Sequence, residues 1–290
     1  MKAEKLAKAY RVEHGKHFRM KDFDPTDTAG WHQEQAGEAL QKGIAQMAEL
    51  QDKLYAQDQW SLLLVIQAMD AAGKDGLIKH VMSGVNPEGC QVYSFKKPSE
   101  TELQHDFLWR TTCSLPERGH IGIFNRSYYE EVLVVRVHPE ILSAQKLPSS
   151  VVGKKLWNER FEDIRCFEWH MLRGGTVIRK FFLHLSKKEQ KKRFLARLDQ
   201  PEKNWKFSAA DIHERERWDD YQDAYEDMIR NTSTKECPWH VIPADNKWFT
   251  RLAVSAVIVD TLESLKLSYP KVDAAKRKEL EAAKKVLLKK

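Results

Sequence analysis

Cysteine is scarce in this chain. Only four occur in 290 residues, and Cys90, Cys113, Cys166 and Cys237 stand far apart with no C-x-x-C pair. That spacing argues against a zinc site and a disulfide framework and points to a reducing compartment, the cytoplasm. Long apolar runs are missing as well: none approaches the roughly 20 residues that cross a bilayer, so no membrane span is expected. Met1-Lys2-Ala3-Glu4 is a polar opening and not a signal peptide. The eleven histidines form no metal-ligating pair, so His80, His138 and His184 read as structural residues and no phosphohistidine is proposed. A large surplus of one charge is also absent. The balance of 48 Lys and Arg against 42 Asp and Glu is mildly basic; it suits an anionic ligand without indicating nucleic acid, which is not expected as a partner.

What remains is a chain long enough for a large core, as one α/β domain or one domain with helical additions. No repeat or low-complexity tract divides it. Its organising stretch is Ser61 to His80. Leu62 to Ile66 are five consecutive large apolar residues, the pattern of a strand buried on both faces in a parallel sheet. The run Asp70-Ala71-Ala72-Gly73-Lys74-Asp75-Gly76 follows, leading into a helix start. A small-residue loop between strand and helix, with a lysine, is the layout of a phosphate cradle: backbone N–H groups and the helix dipole face the anion while the lysine adds charge. The strict G-x-x-x-x-G-K-[ST] pattern fails at both ends, since Ala68 replaces the first glycine and Asp75 the hydroxyl residue. By spacing alone, a phosphate loop and a plain strand-to-helix turn fit equally well.

Around this stretch, residues 1–31 read as a charged arm over the domain or over a sister subunit, with Asp24-Pro25-Thr26-Asp27 as a turn signal. Leu40, Ile44, Met47, Leu50 and Leu54 mark an amphipathic helix within 32–57. Further strands are expected at Cys90–Phe95, Gly119–Phe124 and Thr176–Leu185, with a fifth strand and its exit loop over Cys237–Lys247, and helices over 101–112, 151–172 and 249–267. Lys96 and Lys97, leaving the second strand, read most simply as a solvated loop. Ser186 and Glu189 have capping-box spacing at the head of a basic helix, on which Arg193 and Arg197 share a face. Ser208 and Asp211 are placed to cap a further helix whose buried stripe is Trp218, Tyr221, Tyr225, Met228 and Ile229. Residues 269–290 form a basic tail. Five strands separated by helices predict a doubly wound parallel sheet with ligands at the strands' carboxyl ends.

Four stretches together carry a resemblance. Asp70–Gly76 resembles the phosphate loop of the polyphosphate kinase 2 family, whose departures from the usual pattern are the same. Phe124-Asn125-Arg126-Ser127-Tyr128-Tyr129-Glu130, with Arg136-Val137-His138, is similar to the F-N-R-S-x-Y-E strand end of its one-domain class III members; other members show D-R-S-W-Y-N. Arg193 to Ser208 resembles the family's lid, R-F-x-x-R leading into P-x-K-x-W-K-F-S, and Pro238–Lys247 resembles P-W-x-V-I-P-A-D-x-K. The likeness covers roughly residues 30 to 268. It implies an α/β, P-loop-kinase-like fold with a helical lid at about 187–215, on a catalytic domain of about 32–268. It implies phosphate transfer between inorganic polyphosphate and a nucleotide, with AMP and ADP as acceptors, ADP and ATP as products, and magnesium as cofactor. A homo-oligomer, dimer or tetramer, is also expected.

The site residues follow from the same match. Asp70, Lys74 and Arg126 are the expected catalytic residues, with Asp70 as magnesium ligand because magnesium takes hard oxygen donors. Ala71, Ala72, Gly73, Asp75, Gly76, Asn125, Tyr129, Glu130 and Lys203 are expected around phosphate and nucleotide; Arg193, Arg197 and Lys206 are expected to hold polyphosphate from the lid. Asn125 stands where an aspartate would serve a metal, and Glu130 is the candidate to restore that negative charge. Two other readings compete: an ATP-dependent nucleotide kinase of thymidylate-kinase type, and a non-catalytic polyanion-binding protein. The missing ordinary phosphate-loop pattern counts against the former, and the joint presence of Asp70 and Lys74 against the latter.

Overall fold

A computed structural model describes residues 3–288; residues 1, 2, 289 and 290 of the expected arm and tail lie outside the described residues. Its centre is strand β2, Ser61–Gln67, all seven residues of which are buried. Side chains alternate across a strand. Leu62, Leu64 and Ile66 therefore enter one core layer with Ile121, Ile123, Val177 and Phe181. Leu63 and Val65 enter the other with Phe124, Ile178, Phe182 and Trp239. Two helical layers cover these faces, so strands without an exposed side can be apolar throughout.

The sheet has six strands. With β1 at Arg11–Val12, β3 at Cys90–Ser94, β4 at Ile121–Asn125, β5 at Thr176–His184 and β6 at Trp239–Pro243, the order is β1-β6-β5-β2-β4-β3. Five strands are parallel, as expected. The sixth is a correction to the five-stranded expectation: Arg11 and Val12 pair antiparallel with His240 and Trp239 at the sheet edge. Two residues are too few for a period-2 pattern to register. The segment leading into β1 is likewise more than a charged arm, for Leu6, Ala7 and Tyr10 are buried, and the Tyr10 hydroxyl donates to Asp27 at 2.6 Å. It packs on its own domain through the short helix Ala3–Ala9.

Chain order reverses at β2, whose neighbours are β4 and β5. A crevice opens there beyond the strand ends, where open α/β sheets take ligands. Helix Lys74–Val81 starts at this crevice, and helix Lys187–Asp199 rises beside it. The Ser186 hydroxyl accepts from the Glu189 N–H at 3.0 Å, as the capping box requires. The reciprocal bond is replaced: Asp245 accepts the Ser186 N–H at 2.8 Å, and Glu189 pairs with Arg193. Helix Lys247–Ser264 is buried along most of its length. The expected helix at 101–112 is instead two short turns, Glu102–Gln104 and Trp109–Thr112. Further along, helix Ala210–Glu216 is separate from Trp218–Thr232, with the break at Arg217.

Candidate active site

The loop after β2 needs an unusual backbone. Ala71 has φ +64° and Gly73 φ +102°; only glycine takes the latter without strain, and Ala71 is held there by its surroundings. The holder is Arg193. Its Nη1 donates to the carbonyls of Ala71 at 3.1 Å and Ala72 at 2.8 Å. Its Nη2 donates to those of Ala244 at 2.7 Å and Asp245 at 3.0 Å. Gln190 Nε2 adds a bond to the Asp70 carbonyl at 3.0 Å. Arg193 is thus a buried brace that ties the loop to the end of β6.

Lys74 opens the helix and folds its Nζ back onto the Ala68 carbonyl at 2.8 Å. Burial draws its pKa below the usual lysine value, opposed by the nearby Asp70 carboxylate. Opposite stands Arg126, at the end of β4, itself at φ +63°. Its N–H donates to the Ile66 carbonyl at 3.1 Å. Its guanidinium reaches Asp70 Oδ1 at 3.2 Å and Glu130 at 3.6 Å, so one arginine lies between two carboxylates. Glu130 comes from the turn Tyr128–Val132 and stands behind Arg126. Burial raises its carboxyl pKa, while Arg126 and Lys74 pull it back down. Asp75 accepts from the Asn125 side-chain amide at 2.7 Å.

Asp70 to Gly76, Asn125, Arg126 and Arg193 line a cavity of about 760 Å³ that also takes in Ser94, Lys96, Lys97, Lys203, Trp205 and Lys206. Ten Lys and Arg line it against three Asp, a field suited to a polyanion. Of the expected site residues, Asp70–Gly76, Asn125, Arg126, Arg193, Arg197, Lys203 and Lys206 all border it. Glu130 and Tyr129 do not: Glu130 meets the Arg126 guanidinium, and Tyr129 is fully buried with its hydroxyl donating to Glu168 at 2.7 Å behind the strand end. Position along the motif placed Tyr129 beside the ligand; the direction of its side chain takes it into the core. Arg197 is engaged by Asp211 at 3.2 Å and by the Lys206 carbonyl at 3.1 Å. Asp211 therefore borders the cleft besides serving its helix start, where it accepts the Ser208 N–H at 3.4 Å.

Sequence reasoning missed Lys247 and Arg251, which line the cavity from the first turn of their helix. Lys247 closes the Pro238–Lys247 motif, and Arg251 follows on the same helix face at i+4, which was the available signal. Lys96 and Lys97 also border the cleft, from an exposed loop as the plainer reading has it. Among the described residues no group of three His, Cys, Asp or Glu is placed to hold a metal. Asp70 presents a cleft-lining carboxylate beside Lys74 and Arg126. That suits magnesium bound through one carboxylate with substrate phosphates completing its coordination. Among the described residues no helix is long and apolar enough to cross a membrane.

A strand-end loop with its lysine, an arginine between acids and a rim of basic residues are a constellation suited to phosphate. The family model for polyphosphate kinase 2 matches residues 30–270. The chain belongs to the polyphosphate kinase 2 family. An ADP-polyphosphate phosphotransferase of Rhodopseudomonas palustris is 55% identical over 284 residues, covering 94% of this chain and 98% of that protein. An AMP/ADP-polyphosphate phosphotransferase of Meiothermus ruber is 46% identical over 273 residues, covering 93% and 98%. The crystal structure of polyphosphate kinase 2 from Arthrobacter aurescens superposes with a TM-score of 0.86 at 40% identity, over 96% of each chain. The six-stranded, mostly parallel sheet is thus that of a polyphosphate kinase 2 domain.

Proposed function

We propose that this polyphosphate kinase 2 protein transfers phosphoryl groups from inorganic polyphosphate to AMP and ADP, forming ADP and ATP. The observation that carries the reading is the convergence of Lys74, the loop amides and Arg126 on one cation-lined cleft. A nucleotide acceptor already has an ionised phosphate oxygen, so it needs no strong general base. The obstacle is to bring two polyanions together and to spread charge over the transferred group, which makes catalysis chiefly positioning and electrostatics. The loop amides and Lys74 cradle the donor phosphates. Arg126, oriented by Asp70 and Glu130, faces the acceptor phosphate. Arg197, Lys203 and Lys206 draw the chain in from the lid. Magnesium, when bound, neutralises phosphate charge, and Asp70 would hold it.

The residues disfavour an ATP-dependent kinase of thymidylate-kinase type, because a hydroxyl is absent at position 75 and Asp75 is spent on Asn125. A mere polyanion binder would have little use for a carboxylate among the cations. The scattered cysteines support a cytoplasmic setting, and a homo-oligomer of two or four copies accompanies the family resemblance; sedimentation measures the latter. The deciding experiment supplies long-chain polyphosphate and magnesium with AMP or ADP and measures ADP and ATP formed. ATP made from ADP without any nucleotide donor is the expected result. Product only when ATP is supplied would favour the thymidylate-kinase-type reading, and binding without turnover the polyanion binder.

A further inference from the structure

A buried polar cluster lies behind the Arg126 clamp. Glu168, on helix Leu156–Arg173, and Lys180, on β5, are 2% and 0% exposed and pair at 2.6 Å. Tyr128 and Tyr129 both donate to the same oxygen of Glu168, at 2.8 and 2.7 Å. Lys180 also donates to the Tyr129 hydroxyl at 2.9 Å and to the Thr232 carbonyl at 2.8 Å. A buried ion pair is a poor stability device, since desolvation offsets much of the attraction and apolar replacements are often as stable. Its geometry suggests another use. The two tyrosines immediately precede Glu130 on the same short turn. Their rings run into the core while Glu130 runs the other way to Arg126. The turn is pinned at its start by Ser127, whose hydroxyl accepts from Gln67 Nε2 and from the Tyr129 N–H, each at 3.1 Å. Between Glu168 and Asp70 there is thus an unbroken series: carboxylate, paired hydroxyls, turn, Glu130, Arg126, Asp70.

We propose that Glu168 and Lys180 are positioning residues for the acceptor side of the reaction. They set the Tyr128–Tyr129 turn, and through it the placement of Glu130 and Arg126. This rests on the phosphotransfer reading for the role of Arg126, but the placement itself does not depend on turnover. Residues held this way act through orientation, where small displacements alter rates strongly.

The test is a double-mutant cycle between Tyr129→Phe and Glu130→Gln. Tyr129→Phe keeps the ring and removes one hydroxyl. It is expected to lower kcat with AMP and ADP about tenfold and to weaken ADP binding, with the KM for polyphosphate unchanged. In the Glu130→Gln background the same change is expected to do almost nothing further. Glu168→Gln should behave like Tyr129→Phe. If it fails to fold because Lys180 is left unpaired, the joint Glu168→Gln, Lys180→Met variant takes its place. Equal losses in both backgrounds, or a lowered melting temperature with kcat and ADP affinity intact, would overturn the proposal by showing plain core packing. Calorimetric ADP affinity is read across the same cycle. It decides the proposal even if the parent were inactive with polyphosphate, so the two readings can fail separately.

Discussion

Asn125 donates from its side-chain amide to Asp75 Oδ1 at 2.7 Å, joining the end of β4 to the first turn of the phosphate-loop helix. The two departures from the usual nucleotide-kinase pattern, asparagine at the strand end and aspartate in place of the loop hydroxyl, are therefore one feature. An aspartate at both positions would set two carboxylates against each other. Asn125→Asp is accordingly expected to cost about 1–3 kcal/mol at neutral pH. Like charge would raise a carboxyl pKa of the folded pair above its unfolded value. The folded protein would then hold a proton that the unfolded chain has released, so the lost stability should return as pH falls. Adding Asp75→Asn should restore it at neutral pH. Urea midpoints for both variants at acidic and neutral pH check this; an Asn125→Asp protein as stable as the parent at both would rule it out.

Lys74→Ala is expected to remove about 2–4 kcal/mol of transition-state stabilisation, the range of one preorganised donor, in a protein that still folds. Since burial lowers the Lys74 pKa from the usual 10.5, activity that needs its charge should decline with rising pH earlier than an ordinary lysine would allow. Lys74→Arg should move that alkaline limb of kcat/KM upward. Near-normal turnover in Lys74→Ala would remove the phosphate-loop assignment.

Arg193 and Arg197 share a helix face but are expected to differ. Arg193→Ala leaves four backbone carbonyls without their donor, so it should lose about 3–5 kcal/mol of stability as well as activity. Arg197, held by Asp211, one carbonyl and the Phe194 ring face, should give a well-folded alanine variant with weakened, salt-sensitive polyphosphate use. Arg197→Lys should rescue it partly, because the planar fork is lost. Melting temperatures beside polyphosphate KM values separate the two. Equal melting temperatures would contradict the brace.

Glu130→Asn should change the ratio of AMP to ADP use more than it changes stability at neutral pH, because Glu130 orients Arg126. Steady-state kinetics with both acceptors over a magnesium series measure this, and an unchanged ratio with unchanged magnesium dependence would make Glu130 a bystander. A second readout follows from burial, which raises its carboxyl pKa above the usual 4.5. With the folded value above the unfolded one, its contribution is greatest below the unfolded value and is lost as pH rises through the folded one. Glu130→Gln should flatten that part of the stability profile, as urea midpoints at successive pH values would record.

The catalytic core was legible from the chain because its signals are local. Leu62–Ile66 read as a doubly buried strand, and the glycines of its loop act over a few residues. The parallel sheet followed from alternating strand and helix patterns, and the cleft from the rule that ligands lie at strand ends. What depended on tertiary structure was direction and company. Arg193 and Arg197 look equivalent by spacing, yet one points down onto the loop carbonyls and the other meets Asp211. Tyr129 and Glu130 are adjacent, yet one side chain enters the core and the other reaches Arg126. The edge strand Arg11–Val12 exists only because His240 and Trp239 offer it a partner. Periodicity reports which residues leave water; which atoms they then meet is decided by elements distant in the chain, and the pairings at Asp75, Arg193 and Glu168 are of that kind.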